Sequence, residues 1–259
     1  MRISRGIYVN LSGGLGNQMM QLYAADQLAK HFDQSIFINL TWFDKNYNNK
    51  FITKRKFELE CFRLCCRYEV INVNSWNYLL LNLIGTRVKS KDKFESLLCK
   101  KKSLKPIMVN HHFADIAIDH EKFKQLFKWK VEVFSNDLIE LRKKVFNYSL
   151  PAIFIRKDDW IRLDPASVVN ESCFEQSLER SHEKKYFIVG QIGQEPLSFE
   201  KLKVKTMFID DCGKGWTSYE KMFLLSASTF LYTSKSTYGR CTLYMTNNGM
   251  GKIIEPCRL

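Results

Sequence analysis

The sequence predicts an α/β protein whose chain forms two successive halves, each built around a parallel sheet. An apolar strand at residues 7–11 runs into a glycine-rich turn, a helix and a second strand. The same order restarts with another apolar strand at residues 151–156. Strand, turn, helix, strand is the typical opening of a parallel α/β domain. We therefore place a domain boundary between residues 149 and 150.

The elements of the first half follow from their apolar patterns. The apolar residues at 7–9 and 11 predict a buried strand over 7–11, and residues 18–32 carry apolar side chains on one helical stripe. The elements predicted next are strand 35–40, helices 57–68 and 76–83, a solvated helix and loop with seven lysines at 89–105, strand 106–110 and helix 134–148.

The second half alternates strands and helices to its end, as expected for a parallel α/β domain. The predicted strands are 151–156, 186–190, 206–210, 229–233 and 252–256. The predicted helices are 171–181, 219–227 and one that starts at 236.

Composition excludes a disordered chain and points to an anionic partner. Hydrophobic residues make up 45% of the chain and aromatic residues 14%, which is enough for a packed core. Lys and Arg number 40 against 27 Asp and Glu, which gives a formal charge of +13. This excess favours nucleic acid, a membrane surface or a phosphorylated substrate. Nucleic acid is disfavoured because zinc-finger spacing, a helix-turn-helix signature and an RNP-type aromatic run are all absent from the sequence.

The cysteines and the apolar segments indicate a cytoplasmic location. The eight cysteines lack CxxC spacing, which favours free thiols in a reducing compartment over a disulfide framework. No signal-peptide pattern opens the chain, and the longest apolar stretch, residues 78–84, is too short to span a bilayer. The lysines of residues 89–105 predict peripheral attachment to an anionic membrane, on the inner face of the cell membrane.

The first candidate site is the Gly-Gly-Leu-Gly-Asn-Gln turn of residues 13–18. Glycines between a strand and a helix let the backbone approach a ligand, and the helix N-terminus offers N–H groups to an anion. The spacing does not match the GxGxxG dinucleotide fingerprint. A tight strand-to-helix turn is the structural alternative.

Two further candidates follow strands of the second half. Arg156 ends an apolar strand, where its guanidinium fork could bind a diphosphate, although a surface ion-pair loop is the alternative. The hydroxyl-rich residues 233–237 precede a helix, which suits phosphate oxygens and equally suits an ordinary N-cap.

Neither a metal nor a cofactor is predicted. The five histidines lack metal-ligand spacing, and the acidic pairs at 158–159 and 210–211 are adjacent rather than arranged as Asp-x-Asp. His111 and His112 follow a strand and are a weak candidate for contacts with an acceptor substrate. Polar loop residues are the alternative for this pair.

Together these segments resemble the bacterial α-1,2-fucosyltransferases of glycosyltransferase family eleven. Residues 13–19 repeat that family's Gly-Gly-Leu-Gly-Asn-Gln-Met run without a change, and residues 55–59 match its Arg-x-Tyr-Glu-Leu element. Residues 154–160 correspond to its His-x-Arg-Arg-Gly-Asp-Tyr motif, and residues 234–238 to its Ser-Asn-Ser-Thr-Phe motif. The Lys-Ile-Ile-x-Pro ending also matches, at residues 252–256. Order and spacing agree over nearly the whole chain.

The resemblance implies a GT-B fold, in which two Rossmann-like domains face each other across a cleft. Residues 1–149 would form the acceptor-side domain and residues 150–259 the GDP-sugar-binding domain. The resemblance also assigns catalytic positions to Arg156, Asp159 and Asn17. The donor-binding positions that it implies are Gly13, Gly14, Gly16, Arg156, Lys157, Ser234, Ser236 and Thr237.

The implied reaction is an inverting transfer of L-fucose from GDP-fucose to a galactose-type 2-hydroxyl, without a metal. The acceptor would be a galactose-containing surface glycan such as O-antigen of lipopolysaccharide, including its lipid-linked form. Asp159 could act as the base for the acceptor hydroxyl or only orient Arg156.

The second motif departs from the family pattern. Phe154, Lys157, Asp158 and Trp160 replace the family's His, second Arg, Gly and Tyr, and a lysine lacks the guanidinium fork. Two alternatives therefore stay open: transfer of another GDP-deoxysugar such as colitose, and a catalytically inactive sugar-binding relative.

Overall fold

The computed structural model divides the chain into two compact α/β units, unit 1 (Met1–Lys128) and unit 2 (Trp129–Leu259). The residues that the structure describes are 4–45, 55–71, 75–113, 115–156, 168–169, 171–178, 185–191, 205–208 and 216–256.

Unit 1 is built around a five-stranded parallel sheet. Its strands are β1 (Ile7–Asn10), β2 (Ile36–Asn39), β4 (Tyr68–Ile71), β5 (Thr86–Val88) and β6 (Ile107–Val109). They lie in the order β4-β2-β1-β6-β5, and each neighbouring pair is parallel. Two short strands, β3 (Phe62–Leu64) and β7 (Phe127–Trp129), pair in a separate sheet.

The long first helix covers the middle of this sheet. The described helices of unit 1 are α1 (Leu15–Phe32), α2 (Thr41–Lys45), α3 (Ser75–Ile84), α4 (Lys91–Leu98) and α5 (His120–Leu126). Helix α1 packs against β1, β2 and β6, which explains why fourteen of its side chains are buried. The predicted helix 18–32 is therefore confirmed and begins three residues earlier, directly after the glycines.

Unit 2 repeats the parallel arrangement. Its strands are β8 (Ala152–Arg156), β9 (Lys185–Gln191), β10 (Lys205–Phe208), β11 (Leu231–Ser234) and β12 (Gly251–Ile254), in the order β10-β9-β8-β11-β12. Its described helices are α6 (Asn136–Asn147), α7 (Glu171–Leu178), α8 (Ser218–Leu225) and α9 (Thr237–Met245). The apolar side chains of β8 and β9 pack on α7 in one core cluster.

The division between the units falls before α6, not at residues 149 and 150. Helix α6 packs on α8 of unit 2. The rings of Phe134 and Phe223 stack with centroids 3.9 Å apart, and Arg142 lies over the Phe223 ring. Arg142 also donates to the Phe223 carbonyl and, at 2.7 Å, to Ser226 Oγ. These aromatic and polar contacts assign α6 to unit 2.

The predicted helix at residues 57–68 is wrong. A single 3-10 turn at Leu59–Cys61 is followed by β3. The reason lies in the buried amide of Gln18, which donates to the Lys56 carbonyl and accepts from the Glu58 N–H. The Lys56 carbonyl is the group that would accept the first intrahelical bond of a helix beginning at residue 57.

The cysteines follow the free-thiol prediction only in part. Cys61, Cys65, Cys66, Cys99 and Cys241 are free thiols, whereas Cys173 is disulfide-bonded. The prediction that all thiols are free is therefore wrong at Cys173. Within the described ranges, no helix is long and apolar enough to cross a membrane.

Candidate functional site

Both parallel sheets have a topological switch point at their centre. In unit 1 the chain leaves β1 for β2 on one side, and β6 lies on the other. In unit 2 the corresponding pair is β8 and β11. Ligands in open α/β sheets bind beyond the carboxyl ends of the two strands that flank such a point. Ligand-binding sites are therefore expected at the carboxyl ends of β1 and β6 in unit 1 and of β8 and β11 in unit 2.

The switch point of unit 2 brings two of the predicted donor motifs to one edge. Strands β8 and β11 are parallel neighbours, with Thr233 in register with Phe154. Arg156 ends β8, so its backbone reaches the same sheet edge as the segment that follows Thr233. The side chain of Arg156, together with Lys157 and Asp159, lies outside the described residues.

The start of α9 combines an N-cap with an unpaired hydroxyl. Ser236 Oγ accepts the Gly239 N–H at 2.9 Å, so the predicted N-cap is present. Ser234 is only 4% exposed, and its Oγ has no hydrogen-bond partner among the described residues. Buried polar groups are almost always paired, so such an orphan needs an explanation.

Close packing at this junction requires glycine at position 239. A Cβ there would stand 2.9 Å from the carbonyl oxygen of Ser234, which is closer than real Cβ contacts. No acidic residue lies in the first turn of α9. The N–H groups at this helix start therefore face no competing carboxylate from their own turn, which suits an anionic ligand.

The glycine turn of unit 1 is built tightly. Gly13 has φ of 75°, and a Cβ on it would lie 2.5 Å from Asn17 Nδ2. Gly14 is the N-cap of α1 and makes no side-chain cap bond, while Gly16 is buried in the first turn. The amide of Asn17 thus folds back over the turn, and the tight-turn interpretation explains Gly13 fully.

An arginine that was not among the predicted site residues lies over this turn. The Arg55 guanidinium comes within 3.6 Å of the place where a Gly14 Cβ would stand. Gln18, fully buried, anchors the Arg55 segment through its bonds to Gly13 O, Lys56 O and Glu58 N. The match of residues 55–59 to a family motif was the available sequence signal. A cation above an uncapped helix start suits an anion.

A ladder of three asparagines, also missed from sequence, crosses the carboxyl edge of the unit 1 sheet. Asn39 Nδ2 donates to Asn10 Oδ1 at 2.8 Å, and Asn10 Nδ2 donates to Asn110 Oδ1 at 2.6 Å. These residues end or follow β2, β1 and β6, the neighbouring strands around the switch point. A cavity of about 490 Å³ opens there, lined by Asn10, Ser12, Trp42, Leu79, Asn82, Arg87, Lys89 and Asn110.

The two candidate histidines lie close to this edge but outside the cavity lining. Gln21 Nε2 donates to Ser12 Oγ at 3.0 Å and lies 3.4 Å from His112 Nδ1. Desolvation, and then the neighbouring His111, lower the pKa of His112. His111 itself packs edge-on against Phe113, with ring centroids 5.2 Å apart. His112 therefore supports the segment before the glycine turn through Gln21, whereas His111 packs on an aromatic ring.

The described residues contain no group of three or more His, Cys, Asp or Glu side chains that could hold a metal ion. The acidic pairs at 158–159 and 210–211 lie outside them.

Solved structures of fucosyltransferases share this fold. No protein-family model and no curated protein sequence matches the chain. NodZ α-1,6-fucosyltransferase co-crystallized with GDP superposes with a TM-score of 0.58 at 13% identity, covering 94% of this chain and 93% of that one. The same enzyme soaked with GDP-fucose gives 0.56 at 13% identity, with the same coverage.

A third structure, fucosyltransferase NodZ from Bradyrhizobium, gives a TM-score of 0.53 at 12% identity, covering 94% of each chain. These likenesses, with the two parallel sheets, confirm the predicted α/β fold of GT-B type.

Proposed function

We propose that this protein is a fucosyltransferase that uses GDP-fucose as its donor. The observation that supports the proposal is that β8, which ends at Arg156, lies beside β11, which leads into the start of α9, at the switch point of unit 2. Cleavage of a sugar–diphosphate bond places negative charge on the leaving phosphate. A guanidinium and the N–H groups of a helix start can stabilise that charge. The Ser234 hydroxyl has no partner among the described residues, and a phosphate oxygen of the donor would supply one after rotation of the side chain.

The comparisons support this proposal through the fold. The NodZ structures, co-crystallized with GDP and soaked with GDP-fucose, share the fold of this chain over most of their length. Their fold, together with the sequence motif of residues 13–19, favours a GDP-sugar over other nucleotide sugars.

For the finer reaction, we propose inverting transfer to the 2-hydroxyl of a galactose in a surface glycan. The support is the family-eleven resemblance of residues 13–19 and 234–238. Asp159 is the proposed base and Asn17 a contact near the reacting groups. The altered residues Phe154, Lys157, Asp158 and Trp160 keep another GDP-deoxysugar, or a sugar-binding protein without activity, as alternative outcomes of the experiment below.

We also propose a division of labour in which the first half binds the acceptor and the second half the GDP-sugar. The Arg156 edge and the start of α9 both lie within unit 2. The asparagine ladder and its cavity lie within unit 1. The start of α1 lies next to Arg55, with Gly13 and Gly14 directly before the helix and Gly16 in its first turn. A phosphate or an acceptor oxygen bound there would meet the backbone N–H groups of the helix start.

The decisive experiment is a screen of GDP-sugars and UDP-sugars against galactose-containing acceptors, with products identified by mass spectrometry. Fucose transfer from GDP-fucose to a galactoside is the expected result, with the linkage read by permethylation analysis. Equal turnover of UDP-sugars would overturn the donor assignment. Binding of GDP-fucose without transfer or hydrolysis would identify an inactive relative.

A further inference from the structure

The cavity at the switch point of unit 1 has an unusual hydrogen-bonding character. It lies at the carboxyl ends of β1 and β6, and its charged lining residues are Arg87 and Lys89. No carboxylate is among the lining residues that the structure describes. Trp42 and Leu79 add apolar surface beside the polar edge.

The direction of the asparagine ladder is fixed from outside it. Asn39 Oδ1 accepts the backbone N–H of Thr41 at 3.2 Å, so the other atom of that amide must be the NH₂ group. Asn39 Nδ2 therefore donates to Asn10 Oδ1, and Asn10 Nδ2 in turn donates to Asn110 Oδ1. One backbone N–H thus sets the orientation of all three amides.

The ladder consequently ends in a donor. The Asn110 Nδ2 group has no partner within the described part of the chain, while its Oδ1 is already used. An amide NH₂ can only donate. At the cavity, Asn110 therefore offers two N–H bonds to a ligand.

The two cations add further donors without a compensating acid. Arg87 Nη2 donates to the Asn82 carbonyl at 2.9 Å. This bond fixes the position of the guanidinium and uses only one of its N–H groups. Neither Arg87 nor Lys89 forms an ion pair with any described residue. Guanidinium and ammonium groups have no acceptor capacity.

A cavity that presents two cations and an amide NH₂ group favours a ligand that mainly accepts. A neutral hydroxyl must also find an acceptor for its own hydrogen, whereas a carboxylate or phosphate presents acceptors only. Charge-assisted bonds to such an anion are the stronger kind. Trp42 provides an apolar aromatic surface on which the apolar face of a sugar ring could pack.

We infer that this cavity binds the anionic group of an acidic saccharide, a carboxylate or a phosphate, through Asn110, Arg87 and Lys89. The description of that saccharide as the acceptor rests on the proposed function. The binding itself does not, because it follows from the donors of unit 1 alone.

The test measures binding by calorimetry with four probes: galactose, galacturonate, galactose 6-phosphate and inorganic phosphate. We expect galacturonate and galactose 6-phosphate to bind at least about tenfold more tightly than galactose, because each charged hydrogen bond contributes on the order of a tenfold change or more. Equal binding of galactose and both acidic sugars would overturn the inference. Inorganic phosphate binding as tightly as galactose 6-phosphate would overturn the saccharide part.

Variants locate the site. Asn110→Asp keeps the acceptor that Asn10 uses and replaces the NH₂ by a charged oxygen, so galacturonate binding should fall about tenfold or more while galactose binding stays. Arg87→Ala with Lys89→Ala changes exposed residues and should give the same loss in a folded protein. The matched control, Lys101→Ala with Lys102→Ala, removes the same charge from exposed positions outside the cavity. Loss in the control equal to that in the cavity variant would contradict the site.

GDP binding and GDP-fucose turnover are measured on the same samples. A protein that binds acidic sugars but neither binds GDP nor transfers fucose would refute the proposed function and leave this inference standing. An active fucosyltransferase that binds neutral and acidic sugars equally tightly would support the proposed function and overturn this inference.

Discussion

At the scale of single residues, the two adjacent glycines before α1 have different reasons to be there. Gly13 adopts φ of 75°, where L-residues are strained, and a Cβ would also meet the Asn17 amide. Gly14 has an extended backbone, and the nearest Arg55 atoms lie at an ordinary 3.6 Å from the place that a Cβ would take. Conformation thus requires the first glycine, and access to the helix start favours the second.

Gly13→Ala should lower the free energy of unfolding by about 1–2 kcal/mol, the usual cost of a left-handed backbone with a side chain. Gly14→Ala is the matched control and should cost under about 1 kcal/mol, as at other N-caps. Urea unfolding followed by circular dichroism measures both. Equal losses in the two variants would show that the positive φ carries no special cost.

His112 offers a pH-dependent test of the polar support beneath the turn. Gln21 Nε2 is a donor, so its contact with His112 Nδ1 needs the neutral imidazole. Burial and His111 lower the pKa of His112 from 6.5. A histidine with a lowered folded-state pKa takes up a proton on unfolding, so stability rises with pH between the two pKa values.

The stabilising contribution of neutral His112 should be complete above pH of about 6.5 and decrease as the pH falls below it. His112→Gln should therefore lose less stability than the native protein between pH 7.5 and pH 5.5, as measured by urea unfolding at both pH values. An NMR titration that placed the His112 pKa above 6.5 would contradict the prediction.

Arg156 is the residue on which the proposed donor site depends. If it binds the diphosphate, Arg156→Ala should slow turnover about 100- to 1000-fold, as for loss of one preorganised donor in an active site. Arg156→Lys should be nearly as slow because an ammonium lacks the fork, and Lys157→Ala should cost less. Steady-state rates with GDP-fucose measure this. A folded Arg156→Ala enzyme with near-native turnover would refute the assignment.

At the scale of elements, the sequence predicted what local patterns encode. The apolar runs that became β1, β2 and β6, and the helices α1, α6 and α8, were all visible in the chain. The three-residue strand β5 and the edge strand β4, whose Tyr68, Glu69 and Val70 are exposed, lack a buried apolar run. These segments are strands because they pair with β2 and β6 in the sheet, and their own residues give little indication of it.

The residues of the candidate site also fall into two groups, those that the sequence predicted and those that it missed. The glycine turn and the start of α9 were predicted because their residues are contiguous. The asparagine ladder joins residues 29 and 100 positions apart, and single asparagines at strand ends give no signal until the sheet order is known. The strand order, which places β1 beside β6, is what turns them into one site.

Helix α3 carries an apolar surface that supports the proposed membrane attachment. Leu80 is 46% exposed and Leu83 73% exposed, and the segment 89–105 with its seven lysines follows shortly after. An interfacial segment combines such apolar side chains with basic residues that attract anionic lipids, each worth about 1 kcal/mol.

Leu80→Ser with Leu83→Ser should weaken sedimentation with phosphatidylglycerol vesicles about tenfold or more, since burying one leucine contributes about 1.5–3 kcal/mol. The control Val131→Ser changes an exposed apolar residue of unit 2 and should bind as the native protein does. Raising the salt concentration should release all of them. Absence of vesicle binding at low salt would leave α3 and the lysines as ordinary soluble surface.

At the scale of the whole molecule, the two units have the same sheet topology, with a switch point beside the central strand. Each places polar donors at the carboxyl edge between the two strands that flank its switch point, the asparagines in unit 1 and the start of α9 in unit 2. Such an edge collects residues from distant parts of the chain, which is why two unlike ligands can be bound by two similar sheets.

The last prediction concerns metal dependence and follows from the kind of groups that the donor edge supplies. A divalent ion in a glycosyltransferase would neutralise the leaving diphosphate, a task that fixed cations and helix N–H groups can also perform. Arg156 ends β8, Lys157 follows it, and no acid lies in the first turn of α9. We therefore expect fucose transfer to proceed at an unchanged rate in excess EDTA. Complete loss of transfer in EDTA, restored by manganese or magnesium, would show that the diphosphate is neutralised by a metal and that Arg156 has another role.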